Sequence, residues 1–177
     1  MKKVYLAGPE VFLPDARRCF ERHKELCRQH GFEPLSPLDN AGSTPGESGI
    51  ALARSIFAGN VRMIDRCDIV AANCNPFRGA CVDDGTAWEI AYAYARGKRI
   101  YGYCARLDAL PRIVQSRIAT SSHESGHPID SDGYLVNEDF GNTLNLMLEF
   151  SIEASGGKLI EGDFEQCLAA IKASKSL

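Results

Sequence analysis

The stretch Asp83-Asp84-Gly85-Thr86-Ala87-Trp88-Glu89 sets three carboxylates close together and runs on into Ile90-Ala91-Tyr92-Ala93-Tyr94-Ala95, a small and apolar continuation of helical character. A carboxylate in the first turns of a helix is favoured in its ionised form by the helix dipole and by backbone N–H groups with no intrahelical partner. Glu89 placed there would be ready to act as a nucleophile or base at neutral pH. Thr86-x-x-Glu89 also fits a capping box, in which Glu89 only closes the helix start. On these residues alone the capping reading stands ahead.

Tyr5, Asp39, Asp68, Phe77 and Trp88 are the other acids and aromatics that strand ends and loops could bring to Asp83, Asp84 and Glu89. Two carboxylates on one edge suit cleavage of a glycosidic bond with retention, where the carboxyl groups stand about 5 Å apart and one attacks the anomeric carbon. A nucleobase leaves more readily when protonated, so an Asp of raised pKa is useful beside it. Each residue also has a plainer role: Asp68 capping a turn, Asp83 and Asp84 as N-caps, Phe77 packing under Asn75-Pro76-Phe77-Arg78-Gly79.

Other chemistries lack their motifs. No Walker phosphate loop is present, and Gly8-Pro9-Glu10 stands where Gly-x-Gly-x-x-Gly would follow a first strand. Gly46-Glu47-Ser48-Gly49 is out of register for a nucleophile elbow. Cys81 has no nearby histidine and several acids around it, which disfavours a thiolate. The seven cysteines are odd in number and contain no Cys-x-x-Cys, so they read as free thiols in a reducing compartment. Gly126 and Pro128 break any helix that would align His123 with His127, and no metal site is read.

The elements that must position these residues alternate. Val4–Ala7 reads as a buried strand, Pro14–His30 as a helix, and Phe32–Leu35 as a short strand, followed by a loop over 36–46. A helix over 47–66 has Ile50, Ala53, Ile56, Phe57, Val61 and Ile64 as its buried side. Strands follow at Asp68–Ala72, Ile100–Tyr103 and Leu159–Ile160, with the Glu89 helix ending near Gly97. Residues 105–138 read as irregular with short helical pieces, 141–151 as helix, and Asp163–Lys172 as a last helix. Continuous apolar strands alternating with helices predict a doubly wound, flavodoxin-like or Rossmann-like parallel sheet of five strands with helices on both faces. The whole chain, 1–177, is expected to be one domain carrying an irregular insertion at about 105–138. Ligands bind at the carboxyl ends of such strands, which puts Asp83 and Glu89 on the functional edge and raises the catalytic reading of Glu89 to parity with the capping one.

Bulk properties agree with a soluble globular protein. The 177 residues suffice for one full core, and 45% hydrophobic with 24% charged residues is ordinary for a globular chain. A net charge of -3 argues against a nucleic-acid partner. No apolar run reaches the roughly 20 residues of a membrane span, and Gly8-Pro9 interrupts the N-terminal apolar stretch too early for a signal peptide. A cytoplasmic protein is expected.

Several blocks together resemble the nucleoside 2-deoxyribosyltransferase family: Val4–Pro9, Pro37–Asn40, Cys67–Asn73, Asn75–Gly79, Asp83–Ala93, Gly97-Lys98, Glu138–Gly141 and Leu144–Leu148. They run in family order over most of the chain. The resemblance implies exchange of 2-deoxyribose between nucleobases without a cofactor, as in nucleotide salvage. Glu89 matches the nucleophile that forms a deoxyribosyl ester, which an incoming base, or water more slowly, resolves. Asp83 matches an acid that orients the sugar, and Asp68 an acid assisting proton transfer on the base side. Tyr5 matches an aromatic near the nucleophile, and Phe77 lines the base pocket. Gly8, Asp39 and Met147 fall among the substrate-binding positions. Asn145 matches a residue that a neighbouring subunit donates to the sugar's 5'-hydroxyl, so a homo-oligomer is implied. The partners are then a nucleoside and a free nucleobase, with no nucleic acid or membrane.

Two departures stand out. Residues 106–136 form a longer segment than the pattern implies, and no C-terminal aromatic appears in residues 173–177. A deoxynucleoside 5'-monophosphate N-glycosidase is the alternative enzyme, disfavoured by the negative charge of Glu10 where a phosphate pocket would lie. A non-catalytic nucleotide-binding module of Rossmann-like fold is disfavoured by the acid cluster.

Overall fold

The computed structural model describes residues 1–40, 46 and 48–174. Its elements run β1 (Lys3–Ala7), α1 (Ala16–Gln29), β2 (Glu33–Leu35), α2 (Gly49–Arg66), β3 (Ile69–Asn73), α3 (Asp84–Ala95) and β4 (Arg99–Cys104). They continue with α4 (Leu110–Arg117), β5 (Thr120–Ser122), β6 (Pro128–Asp130), α5 (Leu146–Ala154), β7 (Lys158–Glu161) and α6 (Phe164–Ala173). Short 3-10 turns lie at Pro9–Phe12 and Pro37–Asn40. The expected loop over 36–46 lies partly outside the described residues (41–45), as do the expected helix start at 47 and residues 175–177.

Five strands form one parallel sheet in the order β2-β1-β3-β4-β7. This is the flavodoxin-like order, and the sequence direction reverses between β1 and β3. The alternation of side chains along each strand builds two cores. Tyr5, Ala7, Val70 and Ala72 face one side, with Met63 and Ile64 of α2, Ile90 and Ala93 of α3, and Ile152 of α5. Val4, Leu6, Ile69 and Ala71 face the other, with Phe20 and Cys27 of α1 and Phe164, Leu168 and Ile171 of α6. All seven cysteines are unpaired, and five of them are buried. No helix among the described residues is long and apolar enough to cross a membrane.

Three sequence expectations need correction. Residues 141–145 are not helical: Gly141 has φ 85°, and Asn145 is the N-cap of α5, accepting from Met147 N–H. Glu138 and Glu149 satisfy that approach, accepting from Leu146 N–H and from the Thr143 and Leu144 N–H groups respectively. Segment 105–138 carries more structure than expected, α4 and the antiparallel pair β5–β6. The apolar stripe of α2 does not all meet the core either. Ile64 is buried, but Ile50 is 70% and Phe57 57% exposed. Periodicity shows that a helix has an apolar face, not that the face is covered.

Candidate active site

Strand β1 leads into α1 on one face and β3 leads into α3 on the other, so a crevice opens at the carboxyl ends between them. On the α2/α3 side of that edge lies a cleft of about 480 Å³ lined by Ala53, Ile56, Phe57 and Asn60 of α2 and by Gly85, Trp88 and Glu89 of α3. Phe57 and Trp88 meet edge to face with ring centroids 5.5 Å apart, and Trp88 stacks on Tyr92 at 5.0 Å. The cleft wall is therefore largely apolar and aromatic, which suits a planar organic ligand.

Glu89 is the acid of this cleft. It is 9% exposed, and Tyr5, wholly buried on β1, donates its hydroxyl to Glu89 Oε1 at 2.5 Å. Burial pushes the Glu89 carboxyl up to about 7, the Tyr5 hydrogen bond pulls it down, and the negative charge of Asp83 raises it further. Tyr5 is itself held well above the usual phenol range, by burial first and by Glu89 second, and so remains a donor. From sequence, the helix N-terminus is expected to keep Glu89 ionised. Burial overrides it: close to neutrality the carboxyl is shared between its two forms.

The capping reading also changes. Asp83, not Thr86, caps α3, with Asp83 Oδ2 accepting from Thr86 N–H at 3.0 Å and from Thr86 Oγ1 at 3.1 Å. Thr86 is buried as a donor to the cap, and Glu89 sits in the second turn with its side chain committed to Tyr5. Thr86-x-x-Glu89 is thus not a capping box in this chain. Asp83 lies close enough to Glu89 to act on it electrostatically while fixing the turn that presents it.

The remaining sequence-predicted residues are scattered. Asp68 precedes β3 and lies at the amino edge of the sheet, where its carboxylate accepts from Lys3 N–H at 2.8 Å and faces Lys2 at 3.9 Å. A residue before a parallel strand sits on the edge opposite its ligand loops, so Asp68 is not brought to Glu89. Asp39 lies within the 3-10 turn Pro37–Asn40, where its carboxylate accepts from Ser36 N–H at 2.9 Å and pairs with Lys24. Phe77 stacks on Phe12 at 5.3 Å with the Arg78 guanidinium over both rings, at the sheet's carboxyl edge but outside the residues lining the Glu89 cleft. Gly8 is closely packed: a Cβ there would stand 2.0 Å from Glu10 Oε2 and 3.0 Å from Asn73 Cβ, so the Glu10 side chain would have to move.

Asn145 and Met147 stand at the start of α5. The Asn145 amide donates to Glu138 Oε2 at 2.9 Å and lines a separate apolar cavity of about 300 Å³ with Cys74, Cys81, Leu110 and Leu148, while Met147 is 69% exposed. Neither lines the Glu89 cleft of its own chain. Glu10, read from sequence as a charge opposing phosphate, is buried and turned onto Asn73 and Tyr103, so it no longer disfavours a phosphorylated ligand. Asn60 is not found by sequence reasoning at all. Its signal is weak: it lies three residues beyond Phe57 and four beyond Ile56, on the same stripe of α2.

A family model described as nucleoside 2-deoxyribosyltransferase matches residues 4–147. A Schizosaccharomyces pombe protein described as uncharacterized is 32% identical over 166 residues, covering 87% of this chain and 78% of its own length. Among solved structures, a 2-desoxiribosyltransferase from Leishmania mexicana superposes with a TM-score of 0.73 at 28% identity over 99% of both chains. A conserved protein from Enterococcus faecalis shares the fold at a TM-score of 0.64 and 22% identity, over 97% of this chain and 98% of its own.

Proposed function

The chain belongs to the nucleoside 2-deoxyribosyltransferase family, and on that premise we propose that it moves 2-deoxyribose from one nucleobase to another through an ester on Glu89. The observation carrying this reading is a buried carboxyl, bound by Tyr5, at the floor of an apolar cleft on the ligand edge of the sheet. In its ionised form Glu89 attacks C1' of a 2-deoxynucleoside. The C1'–N bond breaks, its electron pair stays on the base nitrogen, and the base leaves with a proton taken from solvent at the cleft mouth. An incoming base then attacks C1', expels the Glu89 carboxylate and gives up its own N–H proton, so charge and protons balance. Water in place of the base gives slow hydrolysis. A sugar without the electron-withdrawing 2'-hydroxyl reaches an oxocarbenium-like transition state more easily, so positioning and one carboxylate supply much of the catalysis. The acid–base role expected for Asp68 is not part of this mechanism, because that residue lies on the far edge.

The protein acts as a homo-oligomer in this reading, with Asn145 completing a neighbour's cleft. In support, the cleft is open, its rim carries exposed Phe57 and Trp88, and exposed Phe140, Met147 and Phe150 flank Asn145. Incubation with deoxyinosine and free adenine should give deoxyadenosine and hypoxanthine. Base release only from a deoxynucleoside monophosphate in water would replace the transferase with a glycosidase, and silence in both would leave a binding module. Mixing inactive Glu89→Ala and Asn145→Ala proteins under subunit exchange should restore part of the activity. No recovery would remove the shared site.

A further inference from the structure

Glu138 stands before the turn that leads into α5 and gathers three N–H donors from it. Its Oε1 accepts from Leu146 N–H and, at 2.8 Å, from Asn142 Nδ2, and its Oε2 accepts from Asn145 Nδ2 at 2.9 Å. The first two bonds belong to the packing of the turn, since Asn142 is 3% exposed and also donates to the Leu144 carbonyl at 2.6 Å. The third ends on an exposed side chain. Asn145 does not need it to begin the helix, because its Oδ1 already caps α5 through Met147 N–H at 3.0 Å. What the bond to Glu138 adds is a direction. A carboxylate accepts and a backbone N–H donates, so the two neighbours dictate which end of the Asn145 carboxamide faces which. One N–H and one lone pair of that amide are left over, both held in place for an incoming group.

Resting on the reading in which Asn145 completes a neighbour's cleft at the sugar's 5'-hydroxyl, we propose that Glu138 is the positioning residue of that contact. It acts through Asn145 on a substrate held by the other subunit. An amide free to rotate must give up that freedom when the substrate binds. One already held by a carboxylate has lost it during folding, and its contact is stronger by the difference. Glu138→Gln separates the tasks of this side chain. The glutamine oxygen can keep Leu146 N–H and Asn142, while its amine sets N–H against the Asn145 amine, so that the hold on Asn145 is what is lost.

The test crosses this variant with removal of the 5'-hydroxyl from the substrate, using deoxyinosine and 2',5'-dideoxyinosine with adenine as acceptor. In wild type kcat/KM should favour deoxyinosine by about tenfold or more, the weight of one hydrogen bond. In Glu138→Gln the two nucleosides should come within about threefold, through loss on deoxyinosine alone. A loss of equal size on both nucleosides is the mark of a merely structural role and would overturn the proposal, as would a preference that survives the variant. Wild type indifferent to the 5'-hydroxyl would overturn it too, while exchange itself would stand. Should Glu138→Gln fail to fold, Glu138→Asp, which draws the carboxylate back from Asn145, is held to the same ratios. Silence of exchange in wild type would sink the transferase instead. Equilibrium binding of the two nucleosides to both proteins then decides Glu138 by those ratios. Under subunit exchange, Glu138→Gln should recover activity on deoxyinosine when mixed with Glu89→Ala but not with Asn145→Ala. Recovery with Asn145→Ala would separate Glu138 from Asn145 and end the proposal.

Discussion

Glu10 and Glu89 are both buried glutamates near the carboxyl edge of the sheet, 8% and 9% exposed, and each accepts a tyrosine hydroxyl. Their surroundings differ in how many donors they supply. Glu10 Oε1 takes Tyr103 Oη at 3.0 Å and Asn73 Nδ2 at 2.8 Å, which ties the turn after β1 to β3 and β4. Among the described residues Glu89 has Tyr5 alone, with an apolar cleft before it and the charge of Asp83 behind it. A carboxylate given enough donors becomes a brace, and one left short of them keeps its reactivity. The same residue type thus meets two environments on either side of one sheet.

The sharpest way to break this contrast is to exchange the outcomes. Glu89→Ala should lower base exchange at least about a thousandfold while circular dichroism shows the fold retained. Turnover near the wild-type level would end the case for Glu89. Glu10→Ala should act in the opposite way, lowering unfolding free energy by about 3 kcal/mol in urea because Tyr103 and Asn73 lose a buried acceptor. A neutral effect would mean that Glu10 is no brace.

The next effect concerns pH. Glu89 titrates near 7 in the folded chain against 4.5 for an ordinary glutamate, so the folded protein binds its proton more tightly. The stability this contributes is fully present below pH 4.5 and is lost as pH rises through 7, a span worth about 3 kcal/mol. Glu89→Gln should therefore show a thermal midpoint that pulls ahead of wild type across that window, and parallel midpoints would refute the shift. Catalysis runs the other way, since the nucleophile must be ionised: exchange should rise with pH through about 7. Tyr5→Phe removes the bond that favours the charged form, so the same limb should move to higher pH. A profile that stays in place would take Tyr5 out of the mechanism. The smallest effect belongs to Asp83→Ala, about 1 kcal/mol of lost capping, with the Glu89 limb moving to lower pH as a negative neighbour disappears.

The sheet and its helices were legible because strands such as Val4–Ala7 and Ile69–Ala72 are apolar without interruption, and helices such as Ala16–Gln29 carry a clear stripe. That Glu89 would stand on the ligand edge was legible from the alternation of strands and helices, which puts it on the helix following β3. What failed was anything needing a direction in space. Asp68 and Asp83 are both acids flanking elements near β3, and only the parallel sheet shows that they lie on opposite edges. The stripe of α2 announced burial, yet Phe57 and Ile56 serve a cleft. Glu89's charge state followed from burial, which no local rule about helix ends reports. Asn60 is a single amide inside an apolar stripe, and only the packing of α2 against α3 shows that it lines Glu89's cleft.

The chain contains one tryptophan, and it is a wall of that cleft, stacked on Tyr92 and edge-on to Phe57. The whole of the indole fluorescence therefore originates at the wall of that cleft. A base entering the cleft strips water from the 43% of Trp88 that is exposed and offers it a second π-surface, so quenching and a blue-shifted emission are expected from the same event. Excited at the red edge, where the six tyrosines absorb little, the protein carries its own optical reporter of occupancy, with no second indole to blur it and no label to attach.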